Sequence, residues 1–185
     1  ITAVHYIINN SLDRGFHVRF TNESGISKLI YYAVKNNSQP RNGHYPTMQL
    51  PNKSWDNPSP FTKTLSPAGK DIDGLNHTNN AVYVQWCEEV AWAHSASLGM
   101  NLDAYKQLNR AMAIRHADYD YLLPSNLGDQ LLIGTWLTDS DGKISLERRF
   151  QIVRPSDGAT ILRGRWNLVC IEMSSGRPRR MPPEF

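Results

Sequence analysis

Apolar and polar positions change period along this chain, and the change divides it into elements. Val82, Trp86, Val90 and Ala93 recur at the spacing of one helical face, with Tyr83, Cys87 and His94 beside them. Gln85, Glu88, Glu89 and Ser95 fall on a narrower polar strip. The spacing predicts one long helix with a wide apolar face, which suits a helix embraced by a curved sheet. Thr78 or Asn79 can cap its start, and Gly99 can stop it.

Downstream the period falls to two. Ile144, Leu146, Phe150 and Ile152 alternate with Ser145, Glu147, Arg149 and Gln151. Leu162, Trp166, Leu168 and Cys170 share one face, with Arg163, Arg165 and Asn167 on the other. Such alternation describes antiparallel strands packed on one side. Strands are expected over Arg110 to Leu123, Gln130 to Thr138, Ile144 to Val153 and Thr160 to Glu172. Asp141-Gly142 and Asp157-Gly158 separate the last three, and Asp-Gly between apolar runs is a strong hairpin signal. Phe61 to Ile72 reads as a strand leading to the helix, and Asn101 to Asn109 as a short polar helix or loop. The order strand, helix, then four strands predicts an α+β domain: a curved antiparallel sheet wrapped around one long central helix.

The first third is different. Three apolar runs within Ile1 to Val34 are divided by turn residues, and Asp13-Arg14-Gly15 is placed to close a hairpin between the first two. The third run is either a strand or a short helix. Asn36 to Pro60 is rich in Asn, Pro and Ser and reads as a linker. The expected division is an N-terminal extension and linker over 1–57 and a folded domain over 58–185.

Composition narrows the function classes. Apolar residues make up 40% of 185, enough for a core, and a formal charge of +3 gives no case for a nucleic-acid partner. No apolar run approaches the roughly 20 residues that span a bilayer, so a cytoplasmic protein is expected. Cys87 and Cys170 read as buried, unpaired thiols. No His/Cys set has metal-ligand spacing, and neither a glycine-rich phosphate loop nor a G-x-S-x-G elbow occurs, so neither metal nor cofactor is expected. N-x-S/T triplets such as Asn22-Glu23-Ser24 fall in an Asn- and Ser-rich stretch and carry little weight for secretion. The chain begins at Ile1, not Met, which leaves a preceding segment open.

The densest polar cluster precedes the long helix: Asp71, Asp73, Asn76, His77, Asn79 and Asn80. A helix start presents unpaired amides and favours negative charge, so chemistry is expected where this turn meets the helix. The spacing alone leaves Asp73 equally readable as a turn former.

Asp71-Ile72-Asp73, Asn76-His77-Thr78-Asn79-Asn80, Tyr83 and Glu88-Glu89 in this order resemble the hotdog-fold acyl-CoA thioesterases of the 4-hydroxybenzoyl-CoA thioesterase type. Tyr121 to Pro124, Gly128-Asp129, Gly176-Arg177-Pro178 and the closing Met181 to Phe185 resemble the same family. The likeness spans about Pro58 to Phe185, with Asn76 where glycine is usual and Thr78 where valine is usual. It implies a thioester hydrolase acting on acyl-CoA or acyl carrier protein, assembled as a homodimer or homotetramer. It implies Asp73 as base or nucleophile, a backbone amide near Asn80 polarising the carbonyl, and His77 assisting. Asn79 and Tyr83 would contact substrate. A helix glutamate, Glu88 or Glu89, is a second candidate acid, and Asp118 or Asp120 could face the site. Arg177, Arg179 and Arg180 offer charge for CoA phosphates, or a solvated tail. The alternatives are a hotdog protein that binds an acyl thioester without cleaving it, and a hydratase or dehydratase on the same fold.

Overall fold

The computed structural model describes strands β1 (Ile8–Asn10) and β2 (Phe16–Thr21) and then residues 55–185. The third apolar run, the turn at residues 13–15, the triplet at residue 22 and the linker up to residue 54 lie outside the described residues. Strand β3 (Phe61–Leu65) is followed by a 3-10 turn at Gly69–Asp71 and helix α1 (Asn80–Ser97). Then come α2 (Leu102–Leu108), β4 (Arg110–Tyr121), β5 (Leu131–Ser140), β6 (Ser145–Arg154) and β7 (Ala159–Glu172). All strands form one antiparallel sheet in the order β1-β2-β4-β7-β6-β5-β3.

The hairpins form where Asp-Gly predicted them. Gly142 and Gly158 take φ 63° and 70°, the left-handed values that glycine adopts without strain. Asp141 stiffens its turn by accepting the amides of Lys143, Ile144 and Ser145, each at 2.8 Å. Strand β3 is shorter than the expected strand from Phe61 to Ile72: it stops at Leu65, because Pro67 offers no amide to the ladder and the chain then tightens into the 3-10 turn. Residues 101–109 resolve as a helix capped by the Asn101 side chain on the Ala104 amide (2.9 Å) and closed by Asn109 in the left-handed region.

Helix α1 buries Tyr83, Trp86, Cys87 and Val90 from the expected face, together with Ala91, while Val82, Ala93 and His94 are half-buried. The buried five share one core with Leu131, Ile133, Phe150, Ile152, Leu162 and Trp166 from the sheet. The opposite sheet face is covered on the β5 side by residues the composition assigns to the linker. Trp55 packs edge-on to Trp136, which donates its indole N–H to the Pro58 carbonyl (2.9 Å). Asp56 pairs with Arg163 (2.6 and 2.9 Å). Gly134 lies beneath; a Cβ there would sit 2.8 Å from the Trp55 ring. Cys87 and Cys170 are buried free thiols.

Candidate functional site

The polar turn before α1 is held by its own backbone. Asp73 Oδ1 accepts the amides of Leu75 (2.8 Å) and His77 (3.3 Å). The Asp73 amide donates to the His77 carbonyl (2.8 Å), and the Asn76 amide to the Asp73 carbonyl (3.1 Å). Closing this loop puts Asn76 at φ 62°. Asparagine is among the few residues that take this conformation at small cost, so Asn76 in place of glycine preserves the turn. Among the described residues Asp73 Oδ2 has no hydrogen-bond partner. The carboxylate is half-buried, with one oxygen committed to the loop and one free.

An isolated bridge between Ile72 and Thr78 brings the two ends of the turn together, directly before the helix. Asn79 is the N-cap: its Oδ1 accepts the Ala81 amide (2.9 Å), and its own amide donates to the Asp71 carbonyl (2.8 Å). The Val82 amide is satisfied by the Asn79 carbonyl (2.9 Å). That leaves the Asn80 amide without an acceptor among the described residues, at the positive end of the helix dipole. Asp71 is structural, accepting the Ala68 amide through its carboxylate (2.9 Å).

Behind the turn lies a buried polar knot that the sequence pattern did not mark. Ser125 is fully buried in the segment after β4. Its hydroxyl meets Thr78 Oγ1 (2.8 Å) and the Tyr83 hydroxyl (2.8 Å). Its amide donates to the Tyr83 hydroxyl (3.0 Å), and its carbonyl accepts the Thr78 amide (2.8 Å) and hydroxyl (3.1 Å). Tyr121 adds a bond to the Asn80 carbonyl (3.1 Å). Thr78, where an aliphatic residue is usual, is therefore tied to Ser125; a buried hydroxyl needs such a partner. No local signal marks Ser125, because a serine after Pro124 reads as an ordinary turn and its partners lie more than forty positions away.

The expected site residues thus share one place but differ in what they expose. Asp73 is half-buried while His77 and Asn80 are exposed, and it is the His77 backbone that hydrogen-bonds Asp73. Asn79 spends its side-chain oxygen on the cap. Tyr83 is 3% exposed, with its hydroxyl held by Ser125. Glu88 and Glu89 lie further along α1; Glu88 is half-buried, and burial followed by its neighbour Glu89 pushes its pKa up. Asp118 is taken up by His116 (2.9 Å) and Arg165 (3.1 Å). Burial alone would raise its pKa, but these partners hold it below the usual value. Arg179 lies 3.7 Å from Glu172.

The turn lies at the chain's surface. A cavity of about 750 Å³ opens elsewhere, along the second half of α1, and none of Asp73, His77, Asn79 or Asn80 lines it. Among the described residues no group of three His, Cys, Asp or Glu is placed to hold a metal, and no helix is long and apolar enough to cross a membrane.

Solved structures share this architecture. A 1,4-dihydroxy-2-naphthoyl-CoA thioesterase from Synechocystis superposes with TM-score 0.62 at 20% identity, covering 68% of this chain and 92% of its own. A hypothetical protein from Staphylococcus aureus, solved in complex with CoA, gives TM-score 0.64 at 23% identity over 69% of this chain and 79% of that one. An Escherichia coli protein named as a probable thioesterase gives 0.58 at 24%, over 67% and 92%. No curated protein matches the sequence. The family model of the thioesterase-like superfamily matches residues 68–185, from the 3-10 turn before the Asp73 loop to the last residue, and the chain belongs to that superfamily.

Proposed function

We propose that this chain hydrolyses acyl-CoA thioesters at the Asp73 turn. The observation that carries the reading is that, among the described residues, the carboxylate oxygen Asp73 Oδ2 has no hydrogen-bond partner and the Asn80 amide has no acceptor, the two standing at either end of one short closed loop. Thioester cleavage needs those two things: a base or nucleophile, and a donor for the carbonyl oxygen as it becomes negative.

In this mechanism Asp73 takes a proton from water as the water oxygen attacks the thioester carbon. The Asn80 amide and the helix dipole hold the resulting oxyanion. Collapse of the tetrahedral intermediate breaks the C–S bond, and the thiolate leaves with a proton returned from Asp73. In the covalent variant Asp73 attacks directly and water cleaves the anhydride. Water supplies the oxygen, so the reaction calls for no cofactor. The His77 ring, exposed beside the loop, orients water or substrate. Asn79 and Tyr83 act as positioning residues, one shaping the helix start and the other locking it to Ser125.

The reading takes the folded unit as 58–185, a sheet curled around α1 in the hotdog manner, with 1–57 as an extension. CoA is favoured over a carrier protein because a structural relative was solved with CoA bound. A surface turn without its own cavity needs a second wall, so a homodimer or homotetramer completes the site.

Release of free thiol from a panel of aliphatic and aromatic acyl-CoAs tests this. Asp73→Asn keeps the Leu75 and His77 bonds through its amide oxygen and should lower kcat by about a hundredfold or more with the fold intact. A variant with near wild-type turnover rejects the assignment. Binding of acyl-CoA without thiol release by the wild-type chain rejects hydrolysis and leaves a binding protein.

A further inference from the structure

The period-two face of β6 contains one residue that does not belong to it chemically. Leu146, Phe150 and Ile152 point into the core, and Arg148, between them, points the same way. It is 4% exposed. Its guanidinium donates to His94 Nδ1 (3.0 Å), Thr135 Oγ1 (3.2 Å) and Ser95 Oγ (3.2 Å). All three are neutral acceptors: His94 must offer a lone pair, and burial followed by Arg148 itself pushes the His94 pKa down. Among the described residues no carboxylate lies within ion-pair distance of Arg148, whereas the half-buried Arg110 and Arg154 each have one. Burial lowers the Arg148 pKa to about 10, so the group stays charged at neutral pH.

Buried charges are ordinarily paired. Here the position of the missing counter-ion is defined, because Arg148 and Ser95 both line the cavity of about 750 Å³. The rest of its wall is mainly apolar, with Trp92, Met112, Ile114, Leu146, Trp166 and Leu168 among the lining residues. Tyr105 also lines the cavity, adding a hydroxyl to its wall. The other charged lining residues make no ion pair with Arg148: Glu88 is half-buried on α1, and Arg180 and Glu184 are exposed on the C-terminal tail. A cavity of this size, apolar with one convergent charged group, has the make-up of a small-molecule site.

We propose that this cavity binds an apolar carboxylic acid, with the carboxylate on Arg148 and Ser95 and the hydrocarbon part between Trp92 and Trp166. A guanidinium fork matches a carboxylate, and three of its five N–H groups suffice for the bonds it already makes. The site does not depend on hydrolysis at Asp73, which is not part of its wall. If the chain does cleave thioesters, the bound acid belongs to the class the reaction releases.

The test uses the full chain and two probes of equal length, decanoate and decanol, titrated calorimetrically and by the emission of the lining tryptophans. Decanoate should bind about tenfold or more tightly than decanol. Arg148→Lys should weaken decanoate, Arg148→Met should abolish the difference between the probes, and Asp73→Asn should leave it unchanged. Equal affinity for the two probes, no binding of either, or a preference that survives Arg148→Met overturns the proposal. Should Arg148→Met fail to fold, the wild-type comparison and Ser95→Ala, expected to weaken decanoate alone, still decide it. Loss of turnover in Asp73→Asn with unchanged decanoate binding separates this site from the hydrolytic one.

Discussion

The Tyr83 hydroxyl lies 2.8 Å from the Ser125 hydroxyl and accepts the Ser125 amide at 3.0 Å. This pair ties the first turn of α1 to the segment leaving β4, forty-two positions away in sequence. All the groups are buried, so removing one leaves another without a partner. Tyr83→Phe orphans the Ser125 amide and should cost about 1–3 kcal/mol in urea unfolding. Ser125→Ala should cost a similar amount, and the double variant less than the sum, because both break one network. In thiol-release kinetics Tyr83→Phe should lower kcat with KM nearly unchanged. A raised KM at unchanged kcat would instead give Tyr83 the substrate contact implied by the family resemblance.

Asn76 makes a contrasting prediction. At φ 62° it sits where a β-carbon is tolerated only with strain, and its side chain makes no bond that the turn requires. Asn76→Gly should therefore change stability by only a few tenths of a kcal/mol, whereas a β-branched residue such as valine should cost about 1–2 kcal/mol. Thermal unfolding of the pair measures it. Equal loss in both variants would mean that the amide group, not the backbone conformation, holds the turn.

How much of this was legible beforehand follows from the range of each interaction. Helix α1 and the Asp141 and Asp157 hairpins are set by neighbours within a few residues, and the spacing gave their place to within two positions. The Asp73 loop is also local, and the resemblance supplied its significance. Ser125 was not legible, because its partners Thr78 and Tyr83 are far away in sequence and a serine after proline reads as an ordinary turn. Arg148 was visible in principle: it interrupts the apolar alternation of β6 between Leu146 and Phe150. Flanked by Glu147 and Arg149, it reads as part of a solvated charged run, and only the fold shows that it faces inward. The strand expected up to Ile72 ends at Leu65, because Pro67 and the 3-10 turn at Gly69–Asp71 end the ladder locally.

Asp56 provides a pH-dependent prediction. Its bond to Arg163 holds its pKa below the ordinary value of 3.8, against burial, which raises it. A carboxylate with a depressed folded pKa contributes stability above its unfolded pKa and loses it as the pH falls through the folded one. Both side chains are over two-fifths exposed, so solvent screening keeps the contribution within about 1 kcal/mol. The stability difference between wild type and Asp56→Asn should be full at neutral pH, shrink through the carboxylate range, and be smaller in high salt. A difference that stays constant with pH would mean that the Asp56 carboxylate charge is not what stabilises this contact with Arg163.

The last prediction concerns β2, which pairs along β4 from Phe16 opposite Tyr121 to Thr21 opposite His116. Without it the outer half of β4 would present a row of unpaired amides and carbonyls, and an open edge of that kind recruits another strand. The exposed stretch would be the strand that carries Tyr119 and Tyr121, whose rings belong to the core beneath α1. Deleting residues 1–21 should therefore leave the core folded but change assembly, shifting the species seen by light scattering towards higher mass. A second copy pairing through the same β4 edge would satisfy the amides in place of β2, so the new species should be of even order. Circular dichroism should retain the strand signal, and thiol release per folded chain should move only as far as the new neighbour reaches Asp73. An unchanged mass at micromolar concentration, with unchanged unfolding, would show that β2 contributes nothing to protecting this edge.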